Sequence, residues 1–194
     1  MSKYGILAIC LLILNGCSNN SNKMNAIEKK VTADSFFPVT SYIKGQIIVL
    51  DSLPVTPLQI TTIKGKSDSV WIPKNELKKI LSTFLSPTIN ETNFVDFFKE
   101  TKFNDQTLNA ITFTYEPSKI LPDSISLRHW DVYVNPETGV VKKVYIVKKI
   151  KEDNKKFTQQ LTWQTNEMAK ITTILNKEDG QQELLKEVVF TWKF

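Results

Sequence analysis

His129 is the one imidazole in the sequence, and that limits the chemistry open to the chain. A histidine metal cluster cannot be assembled from a single ring. A Ser-His-acid triad would have to run through His129, yet no G-x-S-x-G nucleophile elbow is present. Beside Arg128 at the start of an expected strand, His129 reads as a general base or a lone polar contact. The plainer reading, a strand-edge histidine with no chemical task, outweighs both. Beyond residue 17 the glycines are Gly45, Gly65, Gly139 and Gly180, each isolated, so no phosphate-cradling loop can be drawn. Carboxylate pairs such as Glu91 with Asp96, or Asp131 with Glu116, would be arbitrary choices. The sequence therefore predicts a non-enzyme that needs no metal and no cofactor.

The basic side chains are nearly all lysine, with Arg128 the only arginine, and the formal net charge is +5. Readers of nucleic acid rely on arginine for bidentate contacts to guanine and phosphate, so no nucleic-acid partner is expected. The densest charge lies at Lys142, Lys143, Lys148, Lys149, Lys151, Lys155 and Lys156. As a docking patch it would take anionic headgroups or an acidic partner. As a solvated hairpin tip it would guard a strand edge against aggregation, and this is the reading with more weight.

Four tryptophans, Trp71, Trp130, Trp163 and Trp192, are the bulkiest side chains. In a curled sheet they could line an apolar cavity for a hydrophobic ligand. In a closed core they fill the space beneath the helices, which is the stronger expectation.

The N-terminal segment carries the sharpest signal. Lys3 is followed by the apolar run from Gly5 to Leu14, then by Leu14, Asn15, Gly16 and Cys17. Ten apolar residues fall short of the ~20 that a membrane-spanning helix needs, but suit the core of a secretory signal. The segment resembles the bacterial lipoprotein signal, whose lipobox takes an aliphatic residue three places before the cysteine and a small one just before it. The resemblance covers about twenty residues and implies cleavage after Gly16, with diacylglycerol attached to the Cys17 thiol. It further implies, through Ser18 and a following stretch without acidic residues, an outer-membrane anchor with the domain facing the periplasm. Cys10 would leave with the signal, so neither a disulfide nor a free thiol would remain.

The rest of the chain must supply a fold. Residues 17–35, rich in Ser, Asn and Lys, read as a tether, and residues 36–194 as a single globular domain. Ile43, Ile47 and Leu50 predict a helix over 41–52 that Pro54 ends. A hairpin over 58–64 and 69–72 turns at Gly65–Asp68. Leu77, Ile80, Leu81 and Phe84 predict an amphipathic helix over 74–85 after Pro73. Phe94, Phe97 and Phe98 predict a second, short one. From about residue 107 the period falls to two, as at Ile111, Phe113 and Tyr115 or Trp130, Val132 and Val134, and short connections imply antiparallel neighbours. The expected class is α+β, with the helices and the short hairpin on one face of a C-terminal antiparallel meander of about six strands.

On these grounds the sequence predicts a lipid-anchored, non-catalytic envelope protein that binds a protein partner or serves as an accessory module. The alternative is a carrier or sensor of a hydrophobic ligand such as a lipid, held in a curved-sheet cavity. Its architecture would be similar to outer-membrane lipoprotein-acceptor half-barrels, an analogy with no motif behind it.

Overall fold

Period-two alternation is what the fold is built on. The computed structural model describes residues 36–192; the signal-like segment, Cys17 and the tether lie outside them. The described residues form one compact unit around a single hydrophobic cluster. Its elements in chain order are α1 (Val39–Ser52), β1 (Leu58–Ile63), β2 (Lys66–Trp71), α2 (Lys74–Leu81), a 3-10 turn (Ser82–Leu85), β3 (Phe98–Asp105), β4 (Ala110–Pro117), β5 (Leu127–Val134), β6 (Val141–Glu152), β7 (Lys155–Gln164), β8 (Met168–Asn176) and β9 (Gln182–Thr191).

The strands form one antiparallel sheet of nine, in the order β2-β1-β9-β8-β7-β6-β5-β4-β3. Strands β3 to β9 are a simple meander, and its turns have the chemistry that tight hairpins demand. Asp153 and Asn154 both adopt positive φ between β6 and β7, as a two-residue hairpin loop of the primed type requires. Between β5 and β6 the Asn135 side chain accepts hydrogen bonds from the Glu137 and Thr138 N–H groups at 2.9 and 3.0 Å, and Gly139 takes φ +69°.

Three expectations need correction. The hairpin β1–β2 does not lie on a face of the meander; it extends the sheet, with β1 pairing to β9 from Leu58↔Thr191 to Thr62↔Glu187. Its turn is Lys64–Gly65, both at positive φ, so Lys66, Ser67 and Asp68 belong to β2. The phenylalanine spacing at 94–98 does not make a helix. Phe94 sits at φ +63°, and the Asn90 carbonyl oxygen of the side chain takes the N–H groups of Thr92 and Asn93. Such side-chain bonds offer the backbone an alternative to helix, and Phe98 instead opens β3. The meander thus holds a seventh strand, β3, whose residues show no apolar alternation.

Both helices bury an apolar stripe in the same cluster as one face of the sheet. Val39, Ile43, Ile47 and Leu50 of α1 and Leu77 and Leu81 of α2 join Leu127, Trp130, Val132, Val144, Ile146, Leu161, Trp163 and Phe190. Trp130 stacks on Tyr115 at 4.5 Å and meets Phe36 and Phe98 edge-on or tilted. Trp163 packs against Phe84 of the 3-10 turn and against Trp192. Polar pins fix the helix direction: the Phe37 N–H donates to the Tyr115 hydroxyl at 3.0 Å, and the Tyr42 and Thr165 hydroxyls share a hydrogen bond at 2.6 Å.

Candidate functional site

The same alternation that sends Trp130 and Val132 into the core sends His129, Asp131 and Tyr133 of β5 to the opposite face. Among the described residues no helix covers that face. Register places Thr114 of β4 and Tyr145 of β6 on either side of Asp131, and Lys143 beside Tyr133. The result is a polar cluster centred on one carboxylate. His129 Nε2 lies 2.9 Å from Asp131 Oδ2, the Thr114 hydroxyl donates to Oδ1 at 2.7 Å, and the Tyr133 hydroxyl reaches Oδ2 at 3.4 Å. Lys143 Nζ stands 3.8 Å from the centre of the Tyr133 ring, an ammonium over a π face.

Asp131 is only 7% exposed. Burial pushes its carboxyl pKa up, but the hydrogen bonds from His129 and Thr114 outweigh that and hold it below the usual carboxylate value. The bond to Asp131 raises the His129 pKa against the opposing effect of burial, with the Asp131 and Glu116 charges adding to the rise. Burial, reinforced by the Asp131 charge, lifts the Tyr133 hydroxyl to about 12. These shifts favour an imidazolium–carboxylate pair flanked by neutral phenols. The carboxylate is engaged by three donors, and Thr114 donates to it rather than to His129. A nucleophile–base relay runs the other way, with the hydroxyl donating to the imidazole. The cluster therefore ties three neighbouring side chains to one carboxylate.

No family model, no curated protein and no solved structure matches this chain. Its own geometry carries the reading. Among the described residues no group of His, Cys, Asp and Glu could hold a metal ion, and no helix is long and apolar enough to cross a membrane.

The residues singled out in the sequence are dispersed. Cys17 lies outside the described residues. The lysines do not form one patch. Lys143 belongs to the uncovered face, Lys149, Lys151, Lys155 and Lys156 are exposed near the β6–β7 tip, and Lys142 donates to the Leu108 carbonyl. Lys148 must be corrected outright: it is 5% exposed, on the helix-covered face, and its ammonium donates to the Thr83 carbonyl. Burial there drives its pKa down to about 8. The tryptophans do not line a common cavity. Trp130, Trp163 and Trp192 are buried in the core, whereas Trp71 is 59% exposed at the end of edge strand β2. Glu116 adds its charge to the His129 environment, while Glu91 lines a separate cleft with Glu100. Sequence reasoning missed the Thr114–Asp131–Tyr133 centre, although its signal was present: His129, Asp131 and Tyr133 are the off-phase positions of the Trp130–Val132 alternation.

Proposed function

We propose that this chain is a lipid-anchored, non-catalytic cell-envelope protein that binds a partner protein through the uncovered face of its sheet. The observation that carries the reading is the difference in chemistry between the two faces. The covered one is filled with aromatic and aliphatic side chains. The other offers Tyr133, Tyr145, Gln160, Gln164 and Lys143, half-buried on neighbouring strands. Tyrosine supplies large amphipathic contact area with little rotamer entropy to lose, which suits protein recognition. The internal hydrogen bonds of Asp131 hold its neighbours in place before a partner arrives, which lowers the cost of ordering them on binding. Attachment to the envelope rests on the lipobox Leu14–Cys17.

A photo-crosslinking residue placed at Tyr145 or Gln160 tests the partner. The expected outcome is one discrete protein adduct in cells, absent when the same residue replaces Lys155 at the hairpin tip. Adducts equal at both sites contradict the reading. Cys17→Ser tests the anchor, with loss of membrane fractionation expected.

The ligand-carrier alternative draws support from one cleft of about 540 Å³, lined by Phe36, Phe37, Pro38, Phe113 and Tyr115 together with Glu91 and Glu100. The two carboxylates in that wall suit a cationic or hydroxylated ligand better than an acyl chain. Native mass spectrometry of the lipid-free protein separates the readings, since a carrier retains a small-molecule adduct and an accessory module shows none.

A further inference from the structure

The outer side of α1 is not what a water-facing helix requires. Ile48 and Val49 are 57% and 48% exposed, and Leu53 follows one turn beyond Val49. Helical spacing sets Ile48, Val49 and Ser52 on one face, and that face turns apolar towards the C-terminal end. The chain then runs through Pro54, Val55 and Thr56, which border a shallow hollow of about 470 Å³ with Trp71 as its other wall. The Lys74 ammonium donates to the Asp51 and Leu53 carbonyls, so α2 is fastened against the same helix end. Lys78 pairs with Asp51 at 3.6 Å.

We propose that this end of the molecule is a membrane-contact patch, in which Ile48, Val49, Leu53, Pro54 and Trp71 seat in the interface of an anionic bilayer. The charge around it selects this occupant. Lys44 lies one turn before Ile48 on α1, and Lys74 and Lys78 sit at the helix end beside Asp51; lysines flanking an apolar surface attract anionic headgroups. Tryptophan is the side chain most suited to the headgroup boundary, with an apolar body and one polar N–H. Reach is sufficient: residues 18–35 extend at most ~65 Å, and α1 carries the chain ~21 Å further to the patch. The proposal rests on the lipid-anchor reading for its setting alone. Docking there, in addition to the acyl chains, would fix how the domain stands on the membrane.

Trp71 provides the probe, because the other tryptophans are buried in the core. The protein beginning at residue 18, without acyl chains, is mixed with vesicles of brominated phosphatidylcholine and phosphatidylglycerol. Quenched emission is expected, weakening as salt screens the headgroups. Trp71→Phe should abolish the quenching while leaving the core emission unchanged, and Ile48→Ser with Val49→Ser should weaken vesicle partition about tenfold. Absence of quenching, or quenching that survives Trp71→Phe, overturns the proposal. Quenching seen only when residues 18–33 are also removed overturns it too, by assigning the patch to the chain's own N-terminal segment. A fixed-mass protein adduct from a crosslinker at position 71, without vesicle binding, replaces lipid by protein. The mass of native protein reads the acylation of Cys17 separately, so failure of the anchor leaves the vesicle result standing.

Discussion

The two faces of this sheet come from the same strands and are built on different physics. Along β5, Trp130 and Val132 are fully buried under the helices, while His129, Asp131 and Tyr133 alternate with them on the other side. On the covered side stability comes from apolar area and close packing, with the Lys148 ammonium and the Tyr115 hydroxyl among the titratable groups that burial pushes from their ordinary pKa. On the uncovered side order comes from directed hydrogen bonds to one carboxylate. The uncovered side is thus ordered without an overlying layer. A half-buried polar face can be held in shape by a single satisfied ion pair.

Substitutions on the two faces should therefore separate in size and in kind. Trp130→Ala removes the side chain that holds Tyr115, Phe36 and Phe98 together, and urea denaturation should show a loss of about 3–5 kcal/mol. Asp131→Ala leaves Thr114 and His129 without their acceptor, and the same measurement should give about 1–3 kcal/mol.

Lys148→Met should act in the opposite direction. The native pKa of about 8 lies below the ordinary 10.5, so at neutral pH the folded state carries a charge that burial disfavours. The unfolded chain holds more protons between those two values, and stability should rise as pH increases through that window. Methionine removes both the burden and the pH dependence, for a gain of about 1–3 kcal/mol. A midpoint unchanged at neutral pH would contradict this.

The His129–Asp131 pair makes a smaller, pH-marked contribution. His129 is raised and Asp131 lowered. The His129 contribution is thus present at acid pH and lost as pH rises through its folded value. That of Asp131 is present at neutral pH and lost as pH falls through its own. Both operate together only between these limits, and His129→Gln should flatten the stability profile across the upper one. Tyr145→Ala, on the rim of the cluster, should change stability by less than about 1 kcal/mol while weakening the binding proposed for this face.

Much of this division was legible in the sequence. The helix α1, the amphipathic start of α2 and the alternation of β4 to β9 follow from apolar spacing. Lys148 shows what charge density conceals: it shares the phase of Val144 and Ile146, so period two placed it inside although its neighbours Lys149 and Lys151 are exposed. Strand β3 was hidden because Phe-Lys-Glu-Thr-Lys-Phe-Asn-Asp has one apolar residue at each end of its core segment and pairs on one side alone. The pairing of β1 with β9 joins residues far apart in the chain, and no local pattern encodes it. Trp71 carried no mark distinguishing it from its buried counterparts. Its exposure follows from lying at the end of an edge strand.

Co-purification from gently solubilised envelopes tests the account most directly, comparing the native chain with a Tyr145→Ala, Gln160→Glu double variant of unchanged thermal midpoint. We predict that a single protein accompanies the native chain and is lost from the variant. Retention of the same protein by both, with the face altered and the fold intact, would contradict the assignment of binding to the uncovered side of the sheet.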